Sequence, residues 1–231
     1  MDTMGRTTRM FRSVLAVFAL VMTLPLVSGA EPSPAENIVN APHWIKLVSQ
    51  YREQPNPEGE ICFFGDSITF QGKWREWIGN DAVTNRGIGG DTAWGLMARL
   101  DEVTEGKPSK IFLLIGVNDL SWGGKTPQED AAQVAKLLDT IKRETPATTI
   151  YLQSVLPIID GKVDKCSNAE IDEMNAELGK IAREKEVTWI NLVPYFKDEN
   201  GQLKESYTRE GLHLTEEAYR KWLEVIGDYL R

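Results

Sequence analysis

The sequence is poor in the side chains that bind metals and form disulfides. Its 231 residues include only two histidines and two cysteines. His43, Cys62, Cys166 and His213 lie far apart, and none of the short ligand spacings of structural zinc sites is present. We therefore expect no metal site, and any imidazole chemistry has two candidates.

An excess of positive charge is also missing. The chain has 26 Lys and Arg against 34 Asp and Glu, a formal charge of −8. Affinity for nucleic acid comes from Lys and Arg that neutralise phosphates, so this balance argues against a nucleic-acid partner. Hydrophobic residues make up 42% of the chain, which is enough for the core of one domain, or at most two.

The first 30 residues have the pattern of a secretory signal peptide. Three arginines precede the apolar stretch Ser13–Val27, and Ser28-Gly29-Ala30 supplies the small residues of a cleavage site. A membrane anchor is the competing interpretation, but the stretch contains Pro25 and is shorter than the about 20 apolar residues that span a bilayer. We expect export to the periplasm or the medium, cleavage after Ala30 and no stable membrane insertion.

The remaining chain divides into a short lead-in and one domain. Residues 31–42 contain three prolines and little periodicity, which predicts an exposed lead-in. The domain is expected to cover residues 43–231. Export would permit a disulfide between Cys62 and Cys166, whereas the apolar run around Cys62 favours a buried free thiol.

Short apolar runs alternate with amphipathic segments along the domain. The runs have the length and β-branched content of buried strands; they are Ile61–Phe64, Ala82–Thr84, Ile111–Ile115, Thr149–Leu156 and Val187–Leu192. Helical spacing of apolar residues marks the segments Gln128–Arg143, Asn168–Glu186 and Thr215–Leu230. This alternation predicts an α/β fold of three layers, α/β/α, with parallel strands joined by crossover helices.

Ligands of such sheets bind beyond the carboxyl ends of the strands, so the residues that follow each run are the candidate site. Ser67 follows the first run, at a strand-to-helix turn that suits a nucleophile whose attack creates an oxyanion. Gly90 lies in the glycine-rich turn after the second run. Asn118 follows the third run and offers an uncharged amide donor. His213 precedes the last helix, while His43 is expected to serve in packing or at the surface.

Two glycine-rich stretches imitate nucleotide-binding motifs without completing them. The dinucleotide pattern would require a glycine where Thr92 stands. The phosphate-loop pattern that ends in Gly124-Lys125-Thr126 would require a glycine at Asp119. We therefore expect no nucleotide cofactor.

Four blocks, in order, resemble those of the SGNH hydrolase superfamily, also called GDSL-type esterases and lipases. They are Gly65-Asp66-Ser67, Gly89-Gly90-Asp91-Thr92, Gly116-Val117-Asn118-Asp119 and Glu210-Gly211-Leu212-His213. The second and fourth blocks look like the branch with platelet-activating-factor acetylhydrolase-like and bacterial acetylesterase members. The resemblance implies a flavodoxin-like, five-stranded parallel sheet and a cofactor-free hydrolase of carboxylic esters.

The resemblance also implies the role of each residue. Ser67 would be the nucleophile and His213 its general base, and an oxyanion hole would be formed by Ser67, Gly90 and Asn118. The family has Asp three residues before this histidine, where the present chain has Glu210. Glu210 could serve as the acid, another group could orient His213, or activity could be lost; we favour the first.

An exported short-acyl esterase, acting on acetyl esters of carbohydrates or small molecules, is the favoured function. The chain has no inserted lid or long apolar loop that would shelter a fatty chain. A lysophospholipase or thioesterase is the alternative with the same chemistry, and an inactive carbohydrate-binding relative is the alternative from another class. Among the tryptophans that follow the blocks, Trp74, Trp77 and Trp94 are expected in the core, and Trp122 is the candidate for a substrate wall. The oligomeric state is not predicted.

Overall fold

A computed structural model describes residues 32–122 and 125–231, and the expected signal peptide, residues 1–30, lies outside this range. The described residues contain five parallel strands in the order β2-β1-β3-β4-β5. They are β1 Ile61–Gly65, β2 Val83–Gly87, β3 Lys110–Leu114, β4 Thr149–Gln153 and β5 Thr188–Ile190. The prediction of an α/β fold with a five-stranded parallel sheet is confirmed.

Ten α-helices accompany the strands in the described part of the chain. They are α1 Pro42–Glu53, α2 Ser67–Phe70, α3 Trp74–Ile78, α4 Ala93–Ala98, α5 Asp101–Thr104, α6 Val117–Trp122, α7 Pro127–Glu144, α8 Asn168–Glu184, α9 Val193–Phe196 and α10 Glu216–Ile226. Short 3-10 helices cover Glu36–Asn40, Glu205–Tyr207 and Gly227–Tyr229. None of the helices in these residues is both long and apolar enough to cross a membrane.

Aromatic side chains at matching register positions pack one face of the sheet. Phe63 pairs in register with Phe112, and Phe112 with Tyr151. Their rings stack with centroids 5.0 and 4.6 Å apart, and Trp74 extends the row at 4.2 Å from Phe63. Because side chains alternate between the faces of a strand, one aromatic at the same position of three strands suffices to build this row.

Strand β2 lies at the edge of the sheet and is longer than its apolar run predicts. The sequence indicated a strand over Ala82–Thr84, but the strand continues to Gly87. The added residues are polar and find partners inside the protein. Asn85 donates to the carbonyl oxygens of three residues after the β1 strand, and Arg86 is 1% exposed and ion-paired with Glu60 and Glu102.

The expected exposed lead-in requires correction. Within residues 32–42, Ala35 and Ile38 are 1% and 3% exposed. Ile38 packs with residues of α1 and with Ile88 in a small apolar cluster. Other apolar residues between the prolines pack against this cluster. The segment is therefore part of the fold.

Arg99, which is fully buried, connects the ends of the first two strands to the loop that follows β2. Its guanidinium donates to Asp91 Oδ2 at 2.7 Å and Glu102 Oε1 at 2.5 Å. It also donates to the backbone oxygens of Gly65 at 3.2 Å and Arg86 at 2.7 Å. A buried guanidinium is costly unless its donors are paired, and here every branch has an acceptor.

Three buried aspartates fix the turns at the carboxyl end of the sheet. Asp66 Oδ1 accepts from the N–H of Ile68 at 2.8 Å, and the Asp119 carboxylate accepts from the N–H of Ala93 at 2.9 Å. Burial raises the pKa of Asp66 to about 7, and it raises the pKa of Asp119 and of Asp91 as well. Burial removes these carboxyls from water, which disfavours their charged form, while the backbone N–H groups partly compensate as hydrogen-bond donors.

We predict that Arg99→Met lowers the free energy of unfolding by about 3 to 5 kcal/mol, because Asp91 and Glu102 lose their buried partner. Arg52→Met is the matched control. Arg52 also donates to an aspartate, Asp101, at 2.8 Å, but both side chains are almost half exposed. Its loss should cost about 0 to 1 kcal/mol. Chemical denaturation measures both, and equal costs would contradict the prediction.

Asp66→Asn should change how stability depends on pH. The ordinary pKa of 3.8 applies to the unfolded chain, against about 7 in the fold. Between these values the unfolded state releases its proton first, so the wild type loses stability as pH rises from about 4 to about 7. The asparagine variant lacks this loss, which is on the order of 4 kcal/mol. Urea unfolding of both proteins across this range measures the difference, and a difference that does not grow with pH would contradict the prediction.

Candidate active site

The candidate residues lie at the carboxyl ends of three adjacent strands. Ser67 follows β1, Gly90 lies in the loop after β2, and Asn118 is the second residue of α6, which follows β3. The register pairs Gly65 with Gly87 on one side and with Leu114 on the other, so the three loops start at the same level of the sheet. The N–H of Ile88 donates to the Gly65 oxygen at 3.1 Å and extends this pairing into the loops.

Ser67 is the first residue of α2. Asp66 caps this helix through the bond to Ile68, while Tyr219 OH donates to the Ile68 carbonyl oxygen at 2.6 Å. Gly65 permits the close turn before the serine. A Cβ at Gly65 would lie 2.2 Å from the Leu114 oxygen and 2.4 Å from the Thr69 hydroxyl. The serine backbone is thus fixed from both sides.

His213 and Glu210 meet Ser67 from a loop before α10. His213 Nε2 lies 3.0 Å from Ser67 Oγ, and Nδ1 of the same ring bonds Glu210 Oε1. Glu210 Oε1 also accepts from the backbone N–H of His213 at 2.8 Å. Serine, imidazole and carboxylate therefore form one hydrogen-bonded chain, and the extra methylene of Glu210 does not prevent contact with the ring.

The loop that carries His213 has its own hydrogen bonds. The His213 carbonyl oxygen accepts from the N–H of Arg209 at 3.1 Å and from Thr208 Oγ1 at 3.0 Å. Thr208 Oγ1 also accepts from the N–H of Gly211 at 2.8 Å, where the backbone has a φ of 105° that favours glycine. This loop is open to water, since the Glu210 side chain is 50% exposed and that of His213 30%.

The second and third loops are joined by Asn118. Its Nδ2 donates to the backbone carbonyl oxygen of Asp91 at 2.9 Å, and the residue is largely buried. One further N–H of this amide remains for a ligand. Thr92 caps α4 by accepting from the N–H of Gly95. Asp91 accepts from Thr92, Trp44 and Arg99.

Trp122 lies beside the glycine-rich loop. A Cβ built on Gly90 would be 3.3 Å from Cζ2 of Trp122 and 3.6 Å from Ile38. Gly90 has a φ of 75°, so a larger residue would be strained there as well as crowded. The other tryptophans have other neighbours: Trp74 is buried against Phe63, and the Lys125 ammonium lies 4.0 Å from the Trp94 ring.

The two cysteines are free and buried, and they do not form a disulfide in the structure. Burial raises the pKa of both thiols. Cys62 lies inside β1, and Cys166 precedes α8. In residues 32–122 and 125–231, no group of His, Cys and carboxylate side chains is arranged to hold a metal ion.

The sequence does not predict the residues that hold the loop containing Gly90 in place. Arg99, between α4 and α5, and Trp44, in α1, belong to no recognised motif, yet both donate to the Asp91 carboxylate. His43 is exposed, which agrees with the expected place in packing or at the surface, and its Nε2 also lies 2.8 Å from the Gly89 carbonyl oxygen. The contacts of Arg99, Trp44 and His43 join residues that are 8, 47 and 46 positions apart, so no local sequence pattern predicts them.

Comparison with known proteins shows which family the chain is similar to. The GDSL-like Lipase/Acylhydrolase family model matches residues 63–221. The platelet-activating factor acetylhydrolase IB subunit alpha2 of Rattus norvegicus is 25% identical over 202 residues, which cover 84% of this chain and 86% of that protein.

Two solved structures are similar. One, from Streptococcus pneumonia and named for a platelet activating factor, has 29% identity and a TM-score of 0.73, covering 82% of this chain and 93% of its own. The other, the acetyl xylan esterase AlAXEase, has 19% identity and a TM-score of 0.63, covering 74% and 100%. Such a low identity supports the fold alone.

Other curated relatives are matched over only part of their length. The chain spans 25% of the N-acylneuraminate cytidylyltransferase of Escherichia coli, with 31% identity over 109 residues. It spans 57% of the platelet-activating factor acetylhydrolase IB subunit alpha1 of Bos taurus. The family model, by contrast, matches most of the described chain. The matched range includes all five candidate residues, which are Ser67, Gly90, Asn118, Glu210 and His213. The chain belongs to the GDSL-like lipase/acylhydrolase family.

Proposed function

We propose that the chain is a serine carboxylester hydrolase that works through an acyl-enzyme. The observation that carries the proposal is the hydrogen-bonded chain from Ser67 Oγ through His213 to Glu210. In the first step His213 Nε2 takes the hydroxyl proton while Ser67 Oγ attacks the ester carbonyl. The protonated imidazole then gives this proton to the leaving alcohol. His213 then takes a proton from water, which attacks the acyl carbonyl; the bond to Ser67 Oγ breaks, the proton returns to Oγ and the acid is released.

The oxyanion of each tetrahedral intermediate would be bound by three N–H donors. We assign them to the backbone of Ser67 and Gly90 and to the Asn118 side chain. Asn118 donates one N–H to the Asp91 oxygen, which orients the amide and leaves the other N–H for the substrate. Glu210 would hold the Nδ1–H tautomer of His213 and stabilise the imidazolium that forms during the reaction.

We further propose a short acyl group, with acetyl esters of carbohydrates or small molecules as the substrate class. Trp122 and Ile38 lie within 3.3 and 3.6 Å of a Cβ built on Gly90, and we assign them as the walls that restrict the length of the acyl group there. The exposed Glu210 and His213 side chains favour an alcohol part that extends into water, as a sugar would. The similar protein of Rattus norvegicus is named as a subunit of an acetylhydrolase, which agrees with this chemistry. Export, as the N-terminal sequence predicts, would bring the enzyme to extracellular esters.

A fluorophosphonate probe and p-nitrophenyl esters of increasing chain length test the proposal. The wild-type protein should be labelled and should hydrolyse the acetyl ester fastest, because the room beside Gly90 is limited. Ser67→Ala should abolish both labelling and turnover, since no other nucleophile faces His213 Nε2 in the described structure. A folded wild type without labelling would instead support the inactive carbohydrate-binding alternative, and a rate maximum at long chains would support the lysophospholipase alternative.

Glu210→Gln tests the acid separately. The variant keeps the length of the side chain and an oxygen for the His213 N–H, but it loses the charge that stabilises the imidazolium. We expect kcat to fall by about 100-fold or more, by analogy with amide replacements of the triad acid. Glu205→Gln, which removes an exposed carboxylate from the same C-terminal part of the chain, is the control and should retain activity. A change of less than about threefold in Glu210→Gln would show that another group orients His213.

A further inference from the structure

The segment before the first strand holds the loop that contains Gly90. It lies upstream of residue 63, where the family match begins. Four hydrogen bonds join the two: Tyr51 OH to the Gly87 oxygen at 2.7 Å, His43 Nε2 to the Gly89 oxygen at 2.8 Å, Trp44 Nε1 to Asp91 Oδ1 at 3.1 Å and Thr92 Oγ1 to the Ala35 oxygen at 2.8 Å. Three of these partners are buried, whereas His43 is exposed.

The bond of His43 acts on the peptide unit that carries the Gly90 N–H. The Gly89 carbonyl and the Gly90 N–H belong to one trans peptide, so they point in opposite directions. This peptide is the centre of a turn, because the N–H of Asp91 donates to the Ile88 oxygen at 3.2 Å. Gly90, the third residue of the turn, has a φ of 75°, which is the type II pattern.

Type I and type II turns differ by a rotation of this central peptide through nearly half a turn. Two consecutive glycines have no Cβ atoms to oppose the rotation. In the rotated form the Gly89 oxygen would point where the Gly90 N–H points now, and an oxyanion would meet an acceptor instead of a donor. His43 can donate to the Gly89 oxygen only in the observed orientation.

We propose that His43 is a positioning residue that keeps the Gly90 N–H directed into the oxyanion hole. This inference rests on the proposed function, since it assigns a partner to one of its donors. The segment itself does not need His43 for anchorage. Trp44, Val48 and Tyr51 of α1 pack with Ile38 and Ile88 in a buried cluster. Loss of an exposed imidazole leaves that cluster intact and frees one peptide.

The kinetic test compares three substitutions of His43. His43→Ala should lower kcat by about 10-fold or more, up to the about 100- to 1,000-fold cost of losing an oxyanion donor. KM should stay within about twofold, because the donor acts mainly on the charge of the transition state. His43→Gln should restore most of kcat, since its amide nitrogen takes the place of Nε2. His43→Asn, whose amide is one methylene shorter, should not restore it.

Two controls separate positioning from general damage. Lys46→Ala, at an exposed site on the same helix, should keep the wild-type kcat. The melting temperatures of the His43 variants should stay close to that of the wild type, because the buried cluster is unchanged. Equal losses of kcat in the alanine and glutamine variants, or a loss that follows the melting temperature, would overturn the proposal.

Crystal structures of the wild type and His43→Ala test the inference without any substrate. We expect the Gly89–Gly90 peptide to keep its orientation in the wild type and to rotate, or to occupy both orientations, in the variant. An unchanged peptide in the variant would overturn the role of His43 even if the enzyme is an active esterase. If the wild type hydrolyses no ester, the proposed function is wrong. The orientation of the Gly89–Gly90 peptide in the two crystal structures would still show whether His43 positions it.

Discussion

The arrangement of the site depends on one buried guanidinium. Arg99 binds the backbone at the ends of β1 and β2 and the carboxylate of Asp91, so it connects the turn before Ser67 to the loop that contains Gly90. A charge in the protein interior is tolerated only when its donors are all used, and this requirement restrains each loop. Movement of one loop would leave the guanidinium, or its carboxylate partner, without a hydrogen bond. The ends of β1 and β2 are thus joined through Arg99, and Asn118, which follows β3, is joined to them through its bond to the Asp91 carbonyl oxygen.

The two halves of the site are built by different means. The oxyanion half rests on buried polar groups, Asp66, Asp91 and Asp119, each of which accepts from a backbone N–H and has a pKa raised by burial. The proton-transfer half rests on an exposed loop in which Glu210 and His213 bond to each other. Donors that stabilise developing charge act best when they are fixed beforehand in a water-poor setting. An imidazole that must exchange protons with water and with a leaving alcohol benefits from an open position.

The sequence predicts those parts of this arrangement that are encoded locally. The central strands follow from their apolar runs, and Ser67, Asn118 and His213 follow from motifs at strand ends, because parallel strands bring those ends together. The sequence does not predict the length of β2. Asn85 and Arg86 read as loop residues, and only the fold supplies their partners among Glu60, Glu102 and the backbone. The roles of Arg99 and His43 are not predicted for the same reason, since their partners are distant in the sequence or are identified only by the fold.

The N-terminal segment shows why a sequence motif can identify the Gly90 N–H as a donor without determining the direction in which this N–H points. The block Gly89-Gly90-Asp91-Thr92 requires glycine, because a φ of 75° and the nearness of Trp122 exclude a side chain at Gly90. The same absence of side chains leaves the peptide between the glycines free to rotate. The glycines allow a close approach at this loop, but they also let the peptide rotate. Its orientation must then be fixed by residues outside the motif. In this chain the restriction comes from α1, through a contact between residues 46 positions apart. The oxyanion loop and the segment that precedes the first strand thus form one functional unit, although they are separated in the sequence by the nucleophile itself.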